Sequence, residues 1–157
     1  MAAALDAADR RILTLLQVDA SLSHARIGEA VGLSVSAVNE RVRKLAAAGV
    51  LRGWTVALDP AALGLDLLAF MHVLLEKPTD TKPFLAMVEA TPEIQECHHV
   101  TGEWSLLLKI RVRNTAALER LIGDRIKAVP GVARTLTLIA LSSPKETGAL
   151  PLKGQEG

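Results

Sequence analysis

Apolar residues along the first third of the chain recur at intervals of three and four, the period of helices buried on one side. Leu5, Ile12, Leu15 and Leu16 mark a first amphipathic helix, with Asp6 at its N-cap and Asp9 three residues on, close to a capping box. The stretch SHARIGEAVGLSVSAVNERVRKLAAAG, which starts at Ser23, divides into two shorter helices. Ser23 caps the first, whose apolar side is Ile27, Ala30 and Val31, and Gly32 ends it in a left-handed backbone conformation. A tight turn at Gly32 and Leu33 leads to Ser34, which caps the second. There Val38, Val42 and Leu45 form a single buried stripe, and Gly49 closes the helix. LRGWTVALDP then reads as a strand leading out of this unit, with Val50, Trp54 and Val56 apolar, Trp54 as a packing residue and Pro60 as its end.

From about Leu63 the rhythm changes. LDLLAFMHVLLE reads as a strand, TKPFLAMVEA as a helix and IQECHHV as a strand, after which TGEW makes a turn and SLLLKIRV a further strand. NTAALERLIGDRIKAV is a second helix, Pro130 and Gly131 a turn, and VARTLTLIAL the last strand. Two successive βαβ units make a ferredoxin-like βαββαβ sandwich, so the chain as a whole is α+β. LLLKI and LTLIAL alternate little, yet two helices cover only one face of a four-stranded sheet, so the other face is expected to meet another subunit. The expected boundaries are 1–54 for the helical unit, 55–62 for the linker strand, 63–142 for the sandwich and 143–157 for a tail. That tail, rich in Pro, Gly and charge, is expected to be ordered only where ALPL docks on a neighbour.

The helical step places Ser36, Glu40 and Arg43 nearly opposite the buried stripe of the helix after Ser34, with Asn39, Arg41 and Lys44 on the flanks. A polar face on a lone helix is often merely solvated. Here a short capped helix and a tight turn precede it, the helix-turn-helix arrangement whose second helix enters the major groove of DNA. Ser36, Asn39 and Arg43 are the candidates for base contact, because Ser and Asn bond base edges and Arg grips guanine at two points. Ser34 combines cap and groove contact. Arg41, Lys44 and Arg52 suit phosphates, and Glu40, which repels phosphate, can accept from cytosine. The net charge of the chain is only +1, but residues 41–52 carry four cations and no acid. Charge so focused, on so modest a total, implies that several DNA-binding units act together.

With 157 residues, half of them hydrophobic, the chain can bury a good core and is read as two small domains. No apolar run reaches membrane-spanning length, and MAAALDAADRR is the reverse of a signal peptide, so the cytosol is the expected compartment. The lone Cys97 rules out an internal disulfide and a multi-cysteine zinc cluster. Cys97 and His99 share one face of a strand beside His98, but two ligands at that spacing do not make a tetrahedral site. The histidines read instead as strand-end or interface side chains. There is no nucleophile elbow, Walker loop or HExxH helix, so neither catalysis nor a cofactor is expected.

In LDAADRRIL, IGEAVGLSVSAVNERVRKLAAAGVLRGW, LDPAALG, HHVTGEW and PGVARTLTLIAL, followed by Lys145, the chain resembles the Lrp/AsnC family of bacterial and archaeal transcription regulators from Leu5 to about Lys145. The resemblance implies an N-terminal winged helix-turn-helix and a C-terminal domain for dimerisation and amino-acid sensing, a dimeric α/β barrel. It implies dimers that close into octamers around double-stranded DNA. It also places an amino-acid or metabolite effector between sensing domains near Val100, Thr101, Gly102, Glu103, Trp104 and Ser105. The family pattern there is Gly-Asp-aromatic-Asp, so in this chain the first acid is one methylene longer and the second is replaced by Ser105. An effector ammonium needs an anionic or strongly accepting partner. Either Glu103 reaches it, or the ligand class has changed, or the chain senses no amino acid. Trp104 either closes an apolar pocket or serves as an interface aromatic.

Two rival classes keep the sandwich and discard DNA. One is a dimeric α/β-barrel enzyme using His98 or His99, and the other is a small-molecule-binding module that regulates a partner by contact. The exposed cations Arg43 and Lys44 beside a solvent-facing turn have no use in the first.

Overall fold

The computed structural model describes residues 5–152, which form two compact units: residues 5–57 with 145–152, and residues 58–144. In the first unit α1 spans Ala7–Val18, α2 His24–Val31 and α3 Val35–Ala47. Each begins where a side-chain oxygen replaces the missing intrahelical acceptor. Asp6 accepts from the Asp9 amide at 2.8 Å while the Asp6 amide donates to the Asp9 carboxylate at 3.3 Å, a complete capping box. Ser23 accepts from the Arg26 amide and Ser34 from the Ala37 amide. Gly32 ends α2 with φ at 74°, in the left-handed region that favours glycine.

Ile12, Leu16, Ile27, Val38 and Val42 pack as one core, drawing an apolar stripe from each helix. Ala30, expected on the buried side of α2, is exposed; its carbonyl accepts from the Arg11 guanidinium at 2.6 Å, which ties α1 to the end of α2. Gly28 is buried, and its carbonyl accepts from the amides of both Gly32 and Leu33. A β-carbon at Gly28 would lie 2.5 Å from the Leu33 carbonyl oxygen. The turn folds tightly because that position is bare.

Two expectations for the segments flanking this unit are corrected. LRGWTVALDP forms no hydrogen-bonded strand, and Trp54 and Val56 are 55% and 75% exposed rather than packed. Alternating apolar residues favour extended backbone, but a ladder needs a partner edge, and none is within reach among the described residues of one chain. The tail is ordered without a neighbour, docked on its own α1: Gln17 donates to the Leu150 carbonyl at 3.2 Å and accepts from the Leu150 amide at 2.6 Å. The two-sided amide of Gln17 substitutes for a missing strand neighbour.

In the second unit β1 is Leu67–Leu75, α4 Thr81–Glu89, β2 Ile94–His99, β3 Leu106–Val112, α5 Thr115–Arg120 and β4 Val132–Ile139. The antiparallel sheet has the order β2-β3-β1-β4, with Leu67 opposite Val112 and Val73 opposite both Leu106 and Thr135. This is the ferredoxin-like sandwich, and the fold is α+β. Ala69, Met71 and Val73 alternate inward with Leu106, Leu108 and Ile110 against Phe84, Leu118 and Ile126 of the helical layer. The side chains of the opposite face follow from the same register. Phe70 pairs with Leu138 and His72 with Leu136, and Leu136 and Leu138 stand 45% and 51% exposed.

The segment read as one helix over 114–129 is two. Asn114 caps α5, which passes at Leu121 into a π-helical turn over Leu121–Ile126, where the Lys127 amide reaches five residues back to the Ile122 carbonyl. Gly28→Ala is expected to destabilise the helical unit by about 1–3 kcal/mol, since its β-carbon meets backbone rather than a yielding side chain. Circular-dichroism melting measures it; a melting temperature equal to that of the parent chain would show that the turn tolerates the atom.

Candidate nucleic-acid interface

Val38, Val42 and Leu45 are buried, and the period of α3 therefore turns Ser36, Asn39 and Arg43 outward, all three exposed. Ser34 lies at the leading end of α3 with its hydroxyl 3.1 Å from that of Ser36, so one hydroxyl caps the helix and the next extends beyond it. Glu40 sits between cations. Its carboxylate accepts from Arg43 at 2.7 Å and faces Lys44 at 3.5 Å, and Arg43 above all, then Lys44, holds it below the usual carboxylate range. In the free protein, then, Glu40 holds Arg43 along the exposed face, where the guanidinium must exchange a carboxylate for any base or phosphate it meets.

Arg41 corrects the expectation of a phosphate contact. Its guanidinium bonds Asp6 and Asp9 at 2.7 Å each, and its side chain is only 31% exposed. It therefore clamps α3 to the start of α1. Three of the four cations of residues 41–52, Arg41, Arg43 and Lys44, accordingly face the carboxylates of Asp6, Asp9 and Glu40, and much of the local charge seen along the chain is compensated in space. Arg52 is exposed and forms no ion pair among the described residues, while Lys44 is 73% exposed. These two remain suited to phosphate.

At the far end of the second unit, Val100, Thr101, Gly102, Glu103, Trp104 and Ser105 join β2 to β3, with Gly102 at φ 100°. Ser105 already has a structural partner: its hydroxyl accepts from the Leu75 amide at 3.1 Å, and its own amide donates to the Val73 carbonyl. That serine fastens the turn to β1. Trp104 is flanked by His72, ring centroids 5.5 Å apart, and by the Arg134 guanidinium 4.5 Å above its ring. Arg134 also lies 3.8 Å from Glu103. Neither His72 nor Arg134 stands out in the sequence. Strand register brings them to the turn, since Leu74 pairs with Arg134 and His72 with Leu136. The buried Nδ1 of His72 has no hydrogen-bond partner among the described residues.

Cys97 is half-buried against the sheet's core, and burial pushes its thiol up in pKa, away from the thiolate that metal binding or nucleophilic attack requires. His98 bonds Glu96 at 3.2 Å on the other face, where Lys109 lies at the same distance. His98 acts chiefly, with Lys109, to lower the Glu96 pKa. Among the described residues no three His, Cys, Asp or Glu side chains are placed to hold a metal ion, and no helix is long and apolar enough to cross a membrane.

A capped helix-turn-helix with an exposed reading face, carried on the same chain as a ferredoxin-like unit, defines a DNA-binding transcription regulator with an attached ligand-binding domain. An AsnC-type helix-turn-helix domain matches residues 5–46 and an Lrp/AsnC ligand binding domain matches residues 68–150. The chain belongs to the Lrp/AsnC family. It is 38% identical over 151 residues to the leucine-responsive regulatory protein of Salmonella typhimurium and 37% identical to that of Escherichia coli K12, covering 95% of this chain and 92% of either relative. Among solved structures, a Neisseria meningitidis transcriptional regulator in complex with L-Met superposes with a TM-score of 0.91 at 30% identity, over 96% of this chain and 98% of that one. AsnC of E. coli gives 0.88 at 29% identity, over 95% and 100%. These relatives are transcriptional regulators rather than enzymes.

The clamp at Arg41 makes the helical unit sensitive to acid. The Asp9 amide first, then Arg41, holds the Asp6 carboxyl below its ordinary 3.8. A carboxyl whose pKa is depressed on folding adds stability above its unfolded value and loses it as pH falls through the folded one. Asp6→Asn keeps a capping oxygen but not the charge. The variant is expected to melt below the parent at pH 7, and the gap should narrow as the pH drops under about 3.8. A gap that stays constant from neutral to acid would mean that the ion pair contributes nothing.

Proposed function

We propose that the chain acts as a homodimer or larger closed ring that reads specific sites in double-stranded DNA through Ser36, Asn39 and Arg43, held on phosphate by Lys44 and Arg52. The supporting observation is the exposed polar face of α3 behind a buried apolar stripe. Ser34 and Glu40 border that face, and Glu40 selects: once Arg43 and Lys44 leave it for DNA its carboxylate repels phosphate, and it accepts from a cytosine amino group where one is presented. The domain division that goes with this reading is a DNA-binding domain over 1–54, a linker over 55–62, a sensing and assembly domain over 63–142 and a tail over 143–157. Work on DNA at this scale suits the cytoplasm.

Pairing of subunits is supported by the sheet face bearing Phe70, Leu136 and Leu138, which lies opposite the helices of its own unit and stays partly exposed among the described residues. A two-fold pair doubles the reading heads, which offsets the weak non-specific attraction of a chain with a net charge of +1. The β2–β3 turn supports an effector with both charges of an amino acid: Glu103 for the ammonium, Arg134 for the carboxylate, and Trp104 with His72 as the apolar wall. An L-Met complex of the Neisseria regulator is consistent with such a ligand class. A dimeric-barrel enzyme is the weaker reading, because His98 is engaged by Glu96 on the sheet surface rather than set in a pocket.

Arg43→Ala is expected to cost about 1–3 kcal/mol at a specific operator and to relax base preference at one position, whereas Lys44→Ala weakens operator and random DNA alike. Gel-shift titration at several salt concentrations checks both, and footprinting of the operator should show half-sites about 34–36 Å apart or at multiples of that distance. Equal losses on operator and random DNA for Arg43→Ala, or a single unrepeated footprint, contradict the reading. For the effector, a thermal-shift screen of the twenty amino acids is expected to find one that raises the melting temperature of the parent chain but not of Glu103→Gln. A shift that survives in that variant moves the ammonium partner elsewhere.

A further inference from the structure

At the opposite end of the sheet from the β2–β3 turn, a cavity of about 510 Å³ opens beside α5 and the π turn. The separation follows from register. Val112, which lines the cavity, pairs with Leu67, whereas Leu106, next to the turn, pairs with Val73. Six residues of strand put roughly 20 Å between the two places. The volume is that of a site for a small organic molecule. Leu65, Val112 and Leu121 give it an apolar wall, and Arg113, Arg120 and Arg125 bring three guanidinium groups to its rim.

Three features set this cavity apart from an incidental surface fold. The first is charge: Glu93 and Asp124 also line it, yet among the described residues none of these five charged side chains forms an ion pair with another. Side chains of opposite sign gathered round one opening without closing on each other leave room for a charged guest between them. The second is the π turn over Leu121–Ile126. In an α-helix a residue five positions on is rotated about 140° from the first, so Arg125 would point away from Arg120. Bonds that reach five residues back bring that position round again, and Arg125 joins Arg120 on the cavity side. The third is position: Arg113 follows β3 and Glu93 precedes β2, so two strand ends and a helix converge on the rim.

We infer that this cavity is a second ligand site, separate from the effector turn, that takes a small carboxylate carried on a short apolar body. The guanidinium groups receive the carboxylate by paired N–H donation, and the body lies on Leu65, Val112 and Leu121. The two acids exclude polyanions such as nucleotide phosphates. A 2-oxo acid and the matching amino acid share this chemistry and differ in the ammonium, for which Glu93 and Asp124 are the partners.

Isothermal titration calorimetry of the full chain with 4-methyl-2-oxopentanoate and with L-leucine tests the site. At least one of them is expected to bind the parent chain, to lose affinity by about tenfold or more in both Arg120→Gln and Arg125→Gln, and to bind Glu103→Gln unchanged. Tighter binding of L-leucine assigns the ammonium to the acids, and tighter binding of the oxo acid leaves them as a screen against polyanions. Both arginines are exposed, so a melting temperature of the full chain equal to the parent's serves as the control that the variants are folded. Absence of binding by either compound, or binding that withstands both arginine changes, overturns the proposal. Loss in Glu103→Gln with retention in the arginine variants overturns it too, and leaves the effector turn as the site.

Discussion

Burial of Val38, Val42 and Leu45 commits the opposite side of α3 to water, and every functional property of the N-terminal unit descends from that constraint. A helix has one period. Once Val38 and Val42 are drawn into the core with Ile12, Leu16 and Ile27, the directions of Ser36, Asn39 and Arg43 are no longer free. The capping oxygens of Asp6, Ser23 and Ser34 set where each helix starts, and so fix the phase of that stripe relative to the turn at Gly32. Without the bare α-carbon of Gly28 beneath it, the turn would have to open, and α3 would present a different edge.

Electrostatics in this unit is a matter of pairing more than of total charge. Arg41 is a structural cation because two carboxylates meet it at 2.7 Å, while Arg43 and Lys44, one turn away from the same chain segment, share the lone Glu40. The exposed pairs of Glu40 contribute little to stability, unlike the partly buried clamp at Arg41. They decide geometry instead, orienting Arg43 before DNA arrives, while the clamp holds α1 against α3.

The second unit shows the same economy in another form. Its helices cover one face of the sheet; the other carries apolar Phe70, Leu136 and Leu138 beside the charged group of Glu96, His98 and Lys109. Chemistry then gathers at the two ends. One end holds the turn with Glu103, Trp104 and Arg134, and the other the arginine-rimmed cavity beside the π turn. An arrangement with distinct ends and a bare face suits a sensing module that must touch partners and ligands at once.

Most of the architecture was legible in the sequence because it rests on short-range periodicities. The three helices with their caps, the four strands, the order of elements and the exposed face of α3 all follow from spacing of three, four or two residues. What the tertiary structure alone decided involves pairs distant along the chain. Arg41 reaches back more than thirty residues to Asp6 and Asp9, Ser105 gives its hydroxyl to Leu75, Arg134 comes to Trp104 through the ladder, and Leu150 finds Gln17. The strand expected around Trp54 does not form for a related reason: its residue pattern is local, but a ladder requires an edge that the described residues do not place there. Periodicity tells which way a side chain faces. Only the closed fold determines what it meets.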